Sequence, residues 1–450
     1  MDTKKVITRY KSSFKAFNGL VLLTLFLETK LVLLPGVGDS TILLYFISLI
    51  MGIALVCRKQ SIGIACYWVY LYLLCSFIVV GCFYGTGIMS SYKNSQLSDF
   101  LSISEAGIAV FVVVFSFLLF FYNLPKTVCI TERTLFVPKI KFFPTFILAV
   151  ILSLVSLFLG IGKMGYDNYA LPFHLSGIIQ FYRAELYPLI FLCVYASVPP
   201  AQNNKKKYYV LFFFVWALAE CFVRFSKSAL ISSFLPIALY EIIKNKDLTM
   251  SGIKKFTPIL LAFLALYPII GLMRENDSKD IKATSNLIDM NNAGESMFIE
   301  PFNRVFYTGE LFIQDNGLIA NNNLFDFSNA IPIFAVGGSA RYQTIVIEGY
   351  SDEANHSSGS TPFIDSLLIG GKGLMYITIF IFLYFAYLID KRRYRGGNNI
   401  ITAALCVGYY RLFDMLSISL IVSSFHLRLF IVYIVFIAYV KYKLNKEIKI

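Results

Sequence analysis

Residues 142–162 read FFPTFILAVILSLVSLFLGIG, a run in which no side chain carries a charge. A helix needs about 20 such residues to cross the ~30 Å hydrocarbon core of a bilayer, and similar runs follow one another along most of the chain. Of the 450 residues, 57% are hydrophobic and only 15% are charged, whereas soluble domains carry about 25%. We therefore predict an all-α polytopic membrane protein in which residues 1–450 form a single integral membrane domain.

The apolar runs predict about twelve transmembrane helices. The first run is the weakest, because Glu28 and Lys30 interrupt it. The runs 208–223 and 229–243 are short and meet in a tight turn. The predicted spans are 17–36, 40–57, 63–85, 101–122, 142–162, 179–199, 208–223, 229–243, 257–273, 366–389, 399–420 and 424–441.

The basic residues predict how these spans are oriented. With twelve spans, every short lysine- and arginine-rich segment falls on one side, which the positive-inside rule identifies as the cytosol. Both termini are then cytosolic, and the loops 163–178 and 274–365 lie outside. Eleven spans would break this agreement, so the charge pattern favours an even number.

The loop 274–365 is the one long segment that cannot lie in a membrane. It holds five Lys or Arg residues and thirteen Asp or Glu residues, a net charge of −8, so the rest of the chain carries +21. That positive charge lies mainly in short connections between apolar runs, which fits membrane orientation and not nucleic-acid binding. We expect a periplasmic or extracellular loop that carries short helices and contributes part of an active site.

Several cations lie on the predicted outer side, against the general trend. Arg183 lies near the outer end of its run, and Arg411 lies deeper within the run 399–420. An ionisable group at membrane depth costs several kcal/mol unless it is paired or faces water. Arginine holds phosphate oxygens through two parallel hydrogen bonds, so gathered arginines form an anion site. The outer cations considered for such a site are Arg183, Arg224, Lys227, Arg274, Arg304, Arg341 and Arg411.

Each of these features also has a purely structural interpretation. An arginine at the end of a span can extend to the lipid headgroups, and Arg411 can pair with Asp414 one helical turn away. His356 in the large loop can be an ordinary surface residue. The aromatic residues of the outer loops can form an interfacial belt or platforms on which sugars stack. No cysteine pair has zinc-ligand spacing, and we predict neither a metal nor a cofactor.

Four local patterns and the single large loop point to a family. The patterns are Ser176-Gly177 followed by Arg183 and Pro188, the turn Arg224-Phe225-Ser226-Lys227-Ser228, the run Asn355-His356-Ser357-Ser358-Gly359 followed by Gly370-Gly371, and Arg411 with Asp414. From about residue 160 onward, this arrangement resembles the Wzy-type O-antigen polymerases, which join oligosaccharide repeat units of bacterial surface polysaccharides such as lipopolysaccharide. The related O-antigen ligases share the same general plan.

The resemblance implies a membrane glycosyltransferase of the bacterial inner membrane. Its substrates would be undecaprenyl-diphosphate-linked oligosaccharides, and its partners would be membrane lipids and a chain-length regulator protein. His356 would be the catalytic base, with Glu220, Glu300 and Glu310 as alternatives, and Arg304 would be the second catalytic residue. Arg183, Arg224, Lys227, Arg274, Arg341 and Arg411 would bind the substrate diphosphates.

Three other functions stay open at this point. A ligase would transfer the finished polymer to another glycolipid or to a protein. A flippase or another transporter would also have about twelve spans and a basic interior, but some transporter designs contain inverted repeats, and we find none in this sequence. A structural or receptor protein would explain the apolar runs but not the outer cations.

Overall fold

A computed structural model describes residues 3–58, 62–85, 97–124, 141–163, 171–198, 202–224, 228–244, 362–395 and 399–414, and a few single positions between 257 and 442. Helix accounts for 91% of the structure, and no described residue lies in a strand. The predicted all-α class is therefore confirmed for this part of the chain.

Twelve α-helical segments are described, and π-helical turns interrupt or extend three of the helices. The turn Leu74–Val79 joins α3 to α4, the turn Phe117–Phe121 extends α5, and the turn Tyr182–Leu186 joins α7 to α8. The helices are α1 (Thr3–Val32), α2 (Asp39–Cys57), α3 (Ile64–Leu73), α4 (Val80–Gly85), α5 (Leu97–Ser116), α6 (Phe142–Leu159), α7 (Leu175–Phe181), α8 (Tyr187–Ser197), α9 (Asn203–Arg224), α10 (Ser228–Lys244), α11 (Pro362–Arg395) and α12 (Asn399–Asp414).

Six helical stretches among the described residues are long and apolar enough to cross a membrane, which indicates a membrane protein. They are Asp39–Cys57, Ile64–Cys82, Ser104–Phe121, Phe142–Leu159, Leu175–Ser197 and Gly371–Arg392. The predicted spans 257–273 and 424–441 lie almost wholly outside the described residues, as does the loop 274–365 with its expected short helices. The count of twelve and the orientation stay predictions. Below, "outer end" means the end predicted to face outward, and "cytosolic end" means the end predicted to face the cytosol.

Several helix boundaries differ from the sequence prediction. Helix α1 begins at Thr3 and not at residue 17, and α9 begins at Asn203 and not at residue 208. Ser176 and Gly177, expected in an outer loop before the span 179–199, lie in α7, which begins at Leu175. The predicted loop 274–365 ends earlier than expected, because α11 begins at Pro362. Proline suits the first turn of a helix, where its missing N–H is not needed. An apolar run predicts which residues can be buried in the membrane. It does not predict how far the helix continues into the polar residues beside that run.

The helices form two groups that α11 connects. In the first group, α2 packs against α1 and α5. In the second, α12 packs against α8 and α10, and α9 packs against α6 and α10. Helix α11 contacts α3 and α5 on one side and α10 and α12 on the other. The functional residues described below lie in the second group.

Helices α2 and α6 present broad apolar faces to the outside of the bundle. Only 22% of the residues in each span are buried. Large exposed side chains such as Phe46 and Ile50 on α2 and Ile151 and Phe158 on α6 cover these faces. An apolar exterior of this kind would be unfavourable in water and suits contact with lipid chains.

Helix α11 folds back on itself at Gly371. The hydroxyl oxygens of Ser366 and Thr378 lie 2.6 Å apart although the residues are twelve positions apart, which would separate them by about 18 Å in a straight helix. The Phe363 and Phe382 rings also meet, with centroids 5.1 Å apart. Gly371 has a φ of 64°, a conformation that glycine adopts without steric cost. The first segment of α11, residues 362–370, is therefore one arm of a helical hairpin that packs along the outer half of the second arm.

Asp390 ties the cytosolic ends of three elements together. Its carboxylate oxygens accept hydrogen bonds from the backbone N–H groups of Ala65 and Cys66, each at 3.0 Å. These are donors in the first turn of α3, which an N-cap side chain ordinarily satisfies. Here the N-cap position is Gly63, so α11 supplies the missing carboxylate. The Tyr122 hydroxyl also donates to Asp390, at 3.0 Å, and connects the end of α5 to the same point.

Candidate functional site

The site with the most polar chemistry lies near the outer ends of α6 and α9, beside the turn that joins α7 to α8. The π-helical turn Tyr182–Leu186 carries both Arg183 and Glu185 into the bundle, where they are 1% and 5% exposed. A π-helical turn lies within an α-helix at an energetic cost and is often found at functional sites. A turn of this kind with two buried ionisable side chains is therefore the leading candidate for a functional site.

Arg183 forms a buried ion pair with Glu220 of α9. Its Nε donates to Glu220 Oε1 at 3.0 Å, and its Nη2 donates to Oε2 at 2.8 Å, so both carboxylate oxygens are engaged. The two side chains are 1% and 2% exposed. The two-point contact satisfies much of the hydrogen-bonding requirement that makes a buried charge costly.

The end of α6 supplies a third contact to the guanidinium. Gly160 ends α6 with a φ of 67°, a left-handed conformation that commonly terminates a helix at glycine. The backbone carbonyl of Ile161, just beyond it, accepts a hydrogen bond from Arg183 Nη1 at 3.3 Å. The orientation of Arg183 thus depends on the end of α6 as well as on α9.

Ser153 and Trp216 extend the network around Glu220. The Ser153 hydroxyl donates to Glu220 Oε1, and the Trp216 indole N–H donates to the Ser153 oxygen at 3.1 Å. The Trp216 ring packs edge-on against the Tyr187 ring, with centroids 4.6 Å apart. Connected polar groups of this kind rigidify an apolar core when each one is satisfied.

Two donors beside this network have no hydrogen-bond partner among the described residues. They are the hydroxyl of Tyr187, a fully buried residue, and the Nε of the half-buried Arg224. Arg224 lies one helical turn after Glu220, on the same face of α9. Buried polar groups are usually paired, so these two donors add unused hydrogen-bonding capacity beside the Arg183 network.

The structure describes only some of the predicted site residues. Arg183 pairs with Glu220 of α9, and Arg224 lies one helical turn after Glu220 on the same helix. Arg411 lies in the last turn of α12, which packs against α8 and α10; its side chain is outside the described part of the chain. The predicted residues Lys227, Arg274, Arg304, Arg341, His356, Glu300 and Glu310 lie outside the described residues altogether.

Sequence reasoning recognised Arg183 but not what it contacts. Glu220 was considered as an alternative base, whereas in the structure it is the counter-ion of Arg183. The signal for this pairing was present, because the two are opposite charges near the outer ends of apolar runs, and opposite charges inside a membrane tend to pair. Ser153 and Trp216 carried no comparable signal, since an uncharged residue in an apolar run is ordinarily part of the packing.

A metal site does not form among the residues the structure describes, where no three His, Cys, Asp or Glu side chains gather. The chemistry available at the described site is therefore that of arginine and hydroxyl donors and of Glu220 and Glu185. Such donors can neutralise and orient an anionic group. No family model, no curated protein and no solved structure matches this chain.

Proposed function

We propose that this protein is a bacterial inner-membrane glycosyltransferase that polymerises lipid-linked oligosaccharide repeat units, as O-antigen polymerases do. The observation that supports this most is the buried ion pair between Arg183, on a π-helical turn, and Glu220 on α9. Arg224 lies one turn further out on α9. Cations held at the outer end of an apolar bundle suit a substrate that combines a prenyl tail with a diphosphate.

The reaction replaces one bond at the anomeric carbon of the growing chain. A hydroxyl of the incoming lipid-linked unit attacks that carbon, a new glycosidic C–O bond forms, and the C–O bond to undecaprenyl diphosphate breaks. The electron pair of the broken bond leaves on the diphosphate. The hydroxyl proton passes to a base, for which His356 is the candidate.

The arginines act on the leaving group. Negative charge develops on the diphosphate as the bond breaks, and preorganised cations stabilise that charge most effectively where water is excluded. Arg183, Arg224, Lys227, Arg304 and Arg411 are the side chains we assign to this role, with Arg274 and Arg341 as further diphosphate ligands. The prenyl tails would lie between the apolar helices, and the acidic loop would hold sugars above the cations.

The test replaces Arg304, Arg411 or His356 by alanine and measures chain extension on lipid-linked repeat units. Removing a group that stabilises developing charge lowers a rate by about 10²–10³, so each variant should lose most of its polymerising activity. Arg9→Ala in the N-terminal helix is the matched control and should remain active. If all three variants insert normally and polymerise at the wild-type rate, the proposal is wrong.

The product pattern of a deletion strain separates the alternatives. Loss of a polymerase leaves single repeat units on the cell surface, whereas loss of a ligase leaves polymer on the lipid carrier. Loss of a flippase leaves neither one exported. Polymer that accumulates on undecaprenyl diphosphate would therefore identify a ligase and overturn the proposal.

A further inference from the structure

A second ionisable group, Glu28, lies inside the first helix group, away from the Arg183 network. It belongs to the outer half of α1 and is fully buried. Its Oε2 accepts a hydrogen bond from the Ser48 hydroxyl at 2.8 Å. Ser48 lies in the middle of the apolar span Asp39–Cys57, so Glu28 lies at membrane depth.

The second carboxyl oxygen of Glu28 is unsatisfied. Oε1 has no hydrogen-bond partner among the described residues. The nearest cation along the chain, Lys30, is exposed and lies over the Phe26 ring, with its Nζ 5.9 Å from the ring centroid. The ion pairs formed within the described ranges involve other residues. Glu28 thus differs from Glu220, which is equally buried but has an arginine on both oxygens.

The surroundings of Glu28 are hydroxyl groups and not charges. On one side the Thr24 hydroxyl contacts the hydroxyl of Tyr70 on α3, and on the other the Thr29 and Tyr45 hydroxyls lie 2.8 Å apart. Among the described side chains, the titratable groups that form hydrogen bonds to α1 from the helices packed against it are the neutral Tyr45 on α2, Tyr70 on α3 and Cys82 on α4. Where the side chains of α5 are described, its one charged residue, Glu105, engages Lys372.

These observations decide which charge state fits the packed helices. A carboxylate buried without a cation costs several kcal/mol, and such a group takes up a proton instead. A neutral acid accepts a hydrogen bond well at its carbonyl oxygen, which corresponds to Oε2 under Ser48. Its proton would then be on Oε1, the oxygen that lacks an acceptor.

We propose that Glu28 is a proton-binding site within the membrane, which holds one proton while α1 packs against α2 and releases it when water reaches the carboxyl group. Leu25 packs tightly against Gly52 beside Glu28, since a Cβ atom on residue 52 would lie 3.0 Å from a Leu25 methyl group. This contact between α1 and α2 leaves no room for water, and the exclusion of water favours the neutral acid. Protonation of Glu28 therefore stabilises the contact between α1 and α2, independently of the glycosyl transfer proposed above.

Thermal unfolding of the purified full-length protein tests the proposal. Above mildly acidic pH, Glu28 holds its proton in the folded state but is ionised in the unfolded state. Raising the pH therefore favours the unfolded state, and the wild-type melting temperature should fall by a few degrees. Glu28→Gln, which is neutral at every pH, should lose this part of the pH dependence. Parallel melting profiles for the two proteins would overturn the proposal.

Labelling with dicyclohexylcarbodiimide gives a second readout that does not need the variant. The acid transfers its proton to the reagent and its oxygen attacks the central carbon, so the adduct forms without a leaving group and is found by peptide mass spectrometry. We expect labelling of Glu28 that declines as pH rises, and none of Glu220, because its carboxylate is ion-paired. If Glu28→Gln does not fold, pH-independent or absent labelling of wild-type Glu28 at acidic pH overturns the proposal.

Discussion

Arg183 is at once a structural residue and a candidate ligand for phosphate. Its guanidinium contacts Glu220 and the carbonyl of Ile161, so a diphosphate would share these contacts or compete for them. Breaking a buried ion pair by removing one partner costs about 3–5 kcal/mol, whereas replacing both partners by apolar residues of similar volume is often neutral. This difference allows the two roles of Arg183 to be separated.

We predict that Arg183→Met alone destabilises the protein, because it leaves the Glu220 charge uncompensated. The double variant Arg183→Met with Glu220→Met should recover most of the lost thermal stability in detergent. If Arg183 binds the diphosphate, the stable double variant still fails to extend chains. A double variant that regains both stability and polymerisation would show that the role of Arg183 is structural.

The position of the Asp390 carboxylate leaves room only for glycine at residue 63. A Cβ atom on residue 63 would lie 2.1 Å from the Asp390 Cγ, closer than any real contact. Gly63 is therefore required by the approach of the carboxylate that caps α3. The cap lies at the cytosolic end of the bundle, far along the helices from the Arg183 network.

We predict that Asp390→Ala and Gly63→Ala both lower the melting temperature. Asp390→Ala leaves buried N–H donors unsatisfied, at about 1–3 kcal/mol for such a group, and Gly63→Ala displaces the carboxylate. Gly408→Ala is the matched control, because an added Cβ there meets no atom within 4 Å, and it should be neutral or slightly stabilising. Equal stability of all three variants would contradict the capping interaction.

At the scale of elements, two departures from regular helix concern the candidate site and the return from the predicted large loop. The turn Tyr182–Leu186 positions Arg183, and the hairpin in α11 returns the chain from the large loop to the bundle. Both depart from straight α-helix geometry at a cost that the surrounding packing must offset. The long regular helices α2 and α6 instead present apolar surface to the outside.

The hairpin predicts a cross-link that a straight α11 would forbid. Cysteines at positions 366 and 378 should form a disulfide on mild oxidation, since the native oxygens are 2.6 Å apart and a disulfide requires Cβ atoms about 3.5–4.5 Å apart. Peptide mass spectrometry would identify the linked peptides. Cysteines at 373 and 378, on the second arm alone, are the control and should not link. Free thiols at 366 and 378 would indicate a straight helix.

For the whole molecule, the open question is how the bundle is oriented. Positive charge concentrates in short connections, and the large loop is acidic, so the positive-inside rule predicts that Lys163 lies outside and Gln202 lies in the cytosol. These two residues lie on either side of one predicted span, 179–199.

A membrane-impermeant maleimide measures this orientation in intact spheroplasts. A cysteine introduced at position 163 should react from outside, whereas one at position 202 should react only after the membrane is permeabilised. The wild-type protein gives the background from its native cysteines, of which the described ones other than Cys57 are at least partly buried. Reaction at position 202 in intact spheroplasts would reverse the predicted orientation.

Much of the helical architecture could be predicted from the sequence, because length and apolarity are local requirements of the bilayer. The run 142–162 became α6, and the run 40–57 became α2, with nearly the predicted ends. The hairpin could not be predicted in this way, since both of its arms are apolar and helical. The contact of Ser366 with Thr378, the contact between the Phe363 and Phe382 rings and the positive φ of Gly371 distinguish it from one long span.

By itself, the sequence determined that this is an all-α membrane protein with lone charges inside its apolar runs, because burial in lipid constrains composition residue by residue. Only the tertiary structure decided which charges meet. Arg183 pairs with Glu220 on another helix, Glu28 accepts a hydrogen bond from Ser48, and Asp390 caps α3 through Ala65, 325 positions earlier in the chain. The sequence shows that a buried charge costs free energy, because this cost depends on one residue. Which group offsets the cost depends on how the helices pack against one another.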